Sequence, residues 1–167
     1  WDDDIDLIMP RRDYDRMLTL WKEQEDEQRF LMLWPDGETI THNPFATLVD
    51  TSVTLIKENQ KDLDIPRGIV TDIFPMDGCP DGKLARYWQY YNAMVYSLYA
   101  TEVIPVNHGK VVEFFGRLLL GVVRSKKART RVFKRAQKRL KKYDFDTHAY
   151  CTELYAGPHY MRNKYPQ

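Results

Sequence analysis

Long apolar runs and clustered cysteines are both missing from this sequence. No stretch approaches the ~20 apolar residues that a membrane-spanning helix needs, because the longest candidate, 114–123, is interrupted by Arg117. The two cysteines, Cys79 and Cys151, lie far apart, which argues against a disulfide-rich scaffold and favours a reducing compartment. With 167 residues, 43% of them hydrophobic, the chain is sized for one ordinary core. We therefore expect a single domain that does not cross a membrane.

A near-neutral net charge conceals one strongly basic segment. Residues 124–142 contain eleven of the 25 Lys and Arg residues and none of the 24 acids. The sequence predicts a helix at 126–142 with an exposed cationic face, because so many charges cannot be buried unpaired. That face could meet an anionic membrane leaflet, hold a polyanionic acceptor, or be simply solvated. A nucleic-acid partner is not expected, since aromatic residues are not interleaved with the basic run. We expect a cytoplasmic protein, peripheral to the inner membrane face if the leaflet is the partner.

Hydrophobic periodicity predicts an α+β fold whose C-terminal half is mainly helical. The predicted strands cover residues 4–9, 29–34, 51–56 and 69–74, and the predicted helices cover 13–27, 87–99, 109–123 and 126–142. An aromatic stripe on the second helix is expected to be core: Tyr87, Tyr91, Met94, Val95, Leu98 and Tyr99. Residues 144–167 are expected to be loops with at most one short helix.

The most informative feature is an acidic run at the start of the sequence, Trp1-Asp2-Asp3-Asp4-Ile5-Asp6. In a strand, side chains at alternate positions share a face, so Asp2, Asp4 and Asp6 should project together. Ile5 and Leu7 should then point the other way, into the core. Carboxylates gathered this closely repel one another unless a cation neutralises them. The run therefore predicts a divalent-metal site, with an ordinary solvated acidic patch as the alternative.

The residue types narrow the choice of metal. Oxygen ligands without neighbouring Cys or His favour Mg²⁺ or Mn²⁺ over zinc. An EF-hand calcium loop is not indicated, because its central glycine and distant glutamate are missing. Such an ion keeps open positions that substrate phosphates fill, so the implied substrate is a phosphate or diphosphate compound.

The acidic run is followed by Met9-Pro10-Arg11-Arg12-Asp13-Tyr14, and a second notable segment reads Thr71-Asp72-Ile73-Phe74-Pro75-Met76-Asp77-Gly78. These two segments closely resemble motifs of the LicD family, which is related to fukutin and fukutin-related protein. The second segment is similar to the family's D-I-F-P-L-D motif. Both occur in the family's order, and the resemblance covers residues 1 to about 80.

The resemblance implies a nucleotidyltransferase-like mixed sheet that carries the acidic motif and is packed with several helices. It implies a metal-dependent phosphotransferase that moves phosphocholine or a similar phospho-alcohol from a CDP-linked donor, such as CDP-choline. The acceptor would be a cell-surface glycan, such as lipopolysaccharide, teichoic acid or capsule. Carried over to this sequence, the metal ligands would be Asp4 and Asp6, with Asp72 as the third carboxylate. Asp2 is a candidate for accepting the acceptor hydroxyl's proton.

The chain departs from the family pattern at its flanks. The family's upstream glycine-rich segment and its downstream segment are missing, so we expect residues 1–167 to form a single partial domain of this type. Phosphoribitol or phosphoglycerol transfer, nucleotide transfer, or a non-catalytic binding module that keeps the fold are the alternatives. Asp77 follows Pro75, and we expect it to shape a loop at 75–82 rather than to bind metal.

Overall fold

The computed structural model describes residues 5–24, 29–38, 41, 43–54, 66, 68–104, 109–157, 161 and 163–167. Within these ranges the chain forms a six-stranded mixed sheet and four α-helices, which confirms the expected α+β class. In chain order the elements are β1 (Ile5–Pro10), α1 (Arg11–Gln24), β2 (Phe30–Leu33), β3 (Ala46–Asp50), β4 (Ile69–Gly78), α2 (Lys83–Thr101), α3 (Lys110–Val122), α4 (Lys126–Leu140), a 3₁₀ turn (Phe145–Thr147), β5 (Tyr150–Glu153) and β6 (Tyr165–Pro166).

Strand β4 is the centre of the sheet. β1 runs parallel to it along one edge, paired from Ile5 with Thr71 to Pro10 with Met76. On the opposite edge of β4, the antiparallel strand β3 pairs with Ile69–Ile73 and the antiparallel strand β5 pairs with Met76–Gly78. β2 pairs with the outer edge of β3, and β6 pairs with the outer edge of β5. Most of the ladder is therefore antiparallel, and the single parallel pair is the one that carries the acidic segment.

The two faces of β4 are covered by different helices. Ile73 packs with Tyr14 of α1, together with Met32 and Ala46 from neighbouring strands. The next residue, Phe74, points to the opposite face and joins the larger core formed by α2 and α4. The apolar residues of α1 recur at helical spacing and face the sheet, which makes the helix amphipathic.

The third predicted strand is displaced by several residues. We expected it at 51–56, whereas β3 covers Ala46–Asp50 and is followed by a turn. The Asp50 Oδ1 atom accepts a hydrogen bond from the Ser52 N–H at 2.9 Å, and this local turn ends the strand. The expectation was therefore wrong at 51–54, and residues 55–56 lie outside the described residues.

Pro75 does not end β4, contrary to the loop expected at 75–82. The strand continues to Gly78 because pairing with β3 ends at Ile73 and pairing with β5 begins at Met76. Pro75 falls between these two partners, where its missing N–H breaks no bond to either of them. Asp77 is consequently a strand residue.

The C-terminal segment also differs from the expected loops. β5 pairs with the end of β4, and the two-residue strand β6 pairs with β5, so both extend the sheet. The 3₁₀ turn Phe145–Thr147 is a short helix of the kind that we expected in this segment. The sequence did not indicate these strands because β5, Tyr-Cys-Thr-Glu, and the two-residue β6 lack the apolar run that marks β2.

Two burial expectations were wrong. Ile5 and Leu7 are exposed by 62% and 46%, because no described element covers β1 at this end of the sheet. On α2, Val95, Leu98 and Tyr99 are buried as expected, whereas Tyr87, Tyr91 and Met94 are exposed. The buried face of α2 packs on α4. This face is narrower than the predicted aromatic stripe, which also included exposed positions.

Across the described part of the chain, none of the helices combines the length and the apolar character that crossing a bilayer requires.

Candidate functional site

Asp6 and Asp72 lie directly opposite each other in the parallel pair of β1 and β4. Neighbouring strands are ~4.8 Å apart, and residues in register project on the same face of a sheet. The two carboxylates therefore share one face at adjacent positions. Asp2 and Asp4, the other acids assigned to this site, lie outside the described residues.

The environment of the two acids differs. Asp6 is exposed on β1, and Asp72 is half-buried on β4. Thr47 of β3, which is in register with Asp72, donates a hydrogen bond from its Oγ1 to the Asp72 Oδ1 at 2.8 Å. Asn43 in turn donates from Nδ2 to the Thr47 Oγ1 at 3.0 Å. This chain of hydrogen bonds fixes the orientation of the Asp72 carboxylate.

Sequence reasoning missed Thr47 and Asn43. Both lie more than twenty residues from Asp72 in the sequence, and the contact depends on the pairing of β3 with β4. The available signal at 45–49, Phe-Ala-Thr-Leu-Val, is a short apolar run interrupted by Thr47, and it is too short to assign a strand by itself.

A buried ion pair links the C-terminal end of β1 to the C-terminal part of β4. Arg11, the first residue after β1, donates from Nε to the Asp77 Oδ1 at 2.7 Å and from Nη2 to Oδ2 at 2.9 Å. Asp77 has no solvent exposure and Arg11 has only 7%. Tyr155 completes the group, since its hydroxyl donates to the Asp77 Oδ2 at 2.7 Å and accepts from Arg11. Asp77 thus holds β1 and α1 against β4, a structural role that is larger than the loop role we expected.

The titration of this group follows from its burial. Burial is the largest single effect and lowers the pKa of the Arg11 guanidinium, but the charge and hydrogen bonds of Asp77, together with the neighbouring Tyr155 and Tyr96, outweigh it and raise that pKa well above its usual value. Burial raises the pKa of the Tyr155 phenol well above its usual value, although the Arg11 charge opposes the shift. Arg11 is therefore a fixed cation, and Tyr155 remains a neutral donor.

Glu153 is a second buried carboxyl group near Asp77. Its Oε1 accepts hydrogen bonds from the backbone N–H groups of Tyr155 and Ala156. Its Oε2 has no hydrogen-bond partner among the described residues. Burial raises the pKa of Glu153, and the neighbouring Asp77 adds to the shift, while the two N–H groups oppose it.

The donor set at Asp6 and Asp72 fits a hard divalent cation. Both side chains supply carboxylate oxygens, and the exposure of Asp6 leaves room for further oxygen ligands from water or phosphate. Among the residues that the structure describes, no group of three or more His, Cys, Asp or Glu side chains is arranged to hold a metal ion. Of the three predicted ligands, Asp4, Asp6 and Asp72, the structure brings Asp6 and Asp72 together in register.

The basic segment forms α4, whose apolar residues Phe133, Ala136 and Leu140 are buried. Most of its cations are exposed, which gives the cationic face that we expected. Arg129 is an exception: it pairs with Glu102 and donates to backbone oxygens at the end of α3.

Comparison with known proteins yields no assignment. No family model, no curated protein and no solved structure matches this chain.

Proposed function

We propose that this protein is a LicD-like, metal-dependent phosphotransferase with a nucleotidyltransferase-like sheet. The proposed reaction moves phosphocholine or a related phospho-alcohol from a CDP-linked donor to a hydroxyl group of a cell-surface glycan. One observation carries the proposal: Asp6 and Asp72, each from a different motif, lie in register on adjacent parallel strands. The proposed setting is the cytoplasm, at the inner face of a membrane.

Asp6 and Asp72 would hold Mg²⁺ or Mn²⁺, with Asp4 as a further ligand by resemblance. The bound ion would supply positive charge to the diphosphate of the donor, which favours departure of the nucleotide. Two carboxylates at adjacent positions suit this use, because Mg²⁺ is commonly bound by one or two carboxylates together with substrate phosphates.

The remaining side chains serve this site by positioning. Thr47 holds the Asp72 carboxylate through Oδ1, and Asn43 holds Thr47. The pair of Arg11 and Asp77 fixes the end of β1 against β4, and with it the register that places Asp6 beside Asp72. Fixed ligands matter here because phosphoryl transfer depends mainly on positioning and electrostatics.

The bond changes define the products to be sought. The acceptor oxygen forms a bond with the phosphorus next to the alcohol, and the bond from that phosphorus to the cytidine monophosphate breaks. The proton of the acceptor hydroxyl passes to a base, for which Asp2 is the candidate. The products are a glycan bearing the phospho-alcohol and free cytidine monophosphate.

Mass spectrometry of the products tests the proposal. The protein is incubated with a panel of CDP-linked alcohols, a glycan acceptor and Mg²⁺ or Mn²⁺, and both free nucleotide and modified glycan are measured. Release of cytidine monophosphate with transfer of choline, ribitol or glycerol phosphate identifies the alcohol. A glycan that gains cytidine monophosphate instead indicates a nucleotidyltransferase.

Matched substitutions separate catalysis from folding. Asp6→Asn and Asp72→Asn should each lower turnover at least ~100-fold, about 2.7 kcal/mol. Asp81→Asn removes the same charge from the exposed loop before α2 and should leave turnover near the wild-type value. A donor that stays intact with every alcohol, although metal binds, would identify a non-catalytic binding module.

A further inference from the structure

Helix α3 carries an apolar face that no described element covers. Phe114, Phe115, Leu118 and Val122 are exposed by 62%, 53%, 47% and 72%. Their spacing places them along one side of the helix. The opposite side of the helix faces the rest of the fold, and its Leu119 and Leu120 pack against the main core.

Cations lie at the end and on the flank of this apolar face. Arg117 lies within the helix and pairs with Glu113 on the same helix at 2.8 Å. Arg124 follows the helix and donates to the Gly121 carbonyl at 2.9 Å, so that it is held at the helix end.

The start of α4 adds two more charges, Lys126 and Lys127, both exposed. In the part of the chain that the structure describes, no carboxylate lies within ion-pair distance of Arg124, Lys126 or Lys127. Their charges are therefore available to an anionic surface.

We propose that α3 lies in the interface of an anionic lipid bilayer. Its apolar face would enter the boundary between headgroups and acyl chains, while the cations at the α3–α4 corner bind lipid phosphates. A helix of 13 residues is about 20 Å long and is suited to lying along the surface. Aromatic and leucine side chains on one face with cations beside them are typical of such helices.

The charge pattern favours lipid over a second protein chain. A protein partner for the same face would have to match four apolar side chains and place acids opposite Arg124, Lys126 and Lys127. An anionic leaflet supplies both features together, and each basic residue near it strengthens binding. The proposal concerns α3, not the cationic face of α4 alone, and it holds whether or not the acidic site transfers a phospho-alcohol.

Vesicle flotation tests the proposal. The protein is mixed with phosphatidylcholine vesicles, with or without phosphatidylglycerol, at low and at high salt. We expect binding to the anionic vesicles, weakened but not abolished by salt, because apolar insertion does not depend on ionic strength. The double substitution Phe114→Gln/Leu118→Gln should weaken binding at least tenfold. Lys126→Gln/Lys127→Gln should weaken it about 25-fold, about fivefold for each cation.

Two control variants remove the same kinds of side chain elsewhere. Leu84→Gln and Lys83→Gln change an exposed leucine and an exposed lysine at the start of α2, and both should bind vesicles like the wild type. Circular dichroism establishes that each variant is folded, which is expected because the replaced side chains are exposed.

A fluorescent probe reports insertion directly. A nitrobenzoxadiazole group attached at Leu118→Cys should gain intensity and shift to shorter wavelength on anionic vesicles, whereas the same group at Leu84→Cys should not. Salt-sensitive binding that is unchanged in Phe114→Gln/Leu118→Gln would overturn the insertion of α3, as would no binding at all. A stable dimer in vesicle-free solution that Phe114→Gln/Leu118→Gln dissociates would show that the face joins two copies of the chain.

Discussion

Replacing Asp77 with asparagine should destabilise the protein more than any other single loss of charge. Asp77 has no solvent exposure, and both of its carboxylate oxygens are bonded to Arg11. Asparagine keeps the size of the side chain but leaves the buried Arg11 guanidinium without a counter-charge. Removing one partner of a buried ion pair costs about 3 to 5 kcal/mol of unfolding free energy.

The neighbouring arginine provides a matched control. Arg12 pairs with Asp146 at 2.8 Å, a separation close to that of the buried pair, but these two side chains are exposed by 70% and 54%. Exposed ion pairs contribute at most about 1 kcal/mol. Asp146→Asn should therefore change the free energy of unfolding by less than about 1 kcal/mol.

Urea denaturation followed by circular dichroism measures both variants. Tyr155→Phe, alone and combined with Asp77→Asn, gives the coupling between the phenol and the carboxylate, because the hydroxyl bonds to both members of the pair. We expect the double variant to lose less stability than the sum of the single variants. A loss below about 1 kcal/mol for Asp77→Asn would refute the view that the buried pair braces β1 against β4.

Three further outcomes follow from individual contacts. Burial raises the pKa of Glu153, so the folded protein keeps the carboxyl proton at a pH where the unfolded chain has released it. The free energy of unfolding should therefore fall as pH rises above about 4.3. Glu153→Gln should make this pH dependence shallower, as measured by urea denaturation at several pH values. Gly37→Ala should lower the melting temperature, since φ is +84° and a Cβ would lie 2.7 Å from the Phe133 ring; Gly82→Ala, whose Cβ would meet no atom closer than 3.9 Å, should be tolerated. Thr47→Ala should weaken Mn²⁺ binding, measured by calorimetry, without unfolding the chain, because it frees the orientation of the Asp72 carboxylate.

The long helices, strands β1 and β2, and the first part of β4 could be predicted from the sequence. The basic helix begins at Lys126 as expected, because Ser125 is an N-cap whose side chain accepts from the Ala128 N–H. β2 was expected at 29–34 and is found at Phe30–Leu33. In both cases the local pattern and the packing agree.

The site was only partly predictable. Asp6 and Asp72 were identified by their motifs, but the contact of Thr47 with Asp72 depends on a strand that the sequence placed several residues too late. The role of Asp77 was missed because Pro75 indicated a loop, whereas the positions of β3 and β5 allow proline inside the strand. Contacts of this kind are set by strand pairing over long sequence separation, which short-range patterns do not contain.

Metal binding at Asp6 and Asp72 is the central claim, and Mn²⁺ titration observed by electron paramagnetic resonance tests it most directly. The signal of free Mn²⁺ should decrease as the protein binds the ion, and Mg²⁺ should compete for the same site. Asp6→Asn and Asp72→Asn should each weaken the affinity at least tenfold, about 1.4 kcal/mol, while Asp81→Asn should leave it unchanged. Equal Mn²⁺ affinity in all three variants and the wild type would contradict the claim.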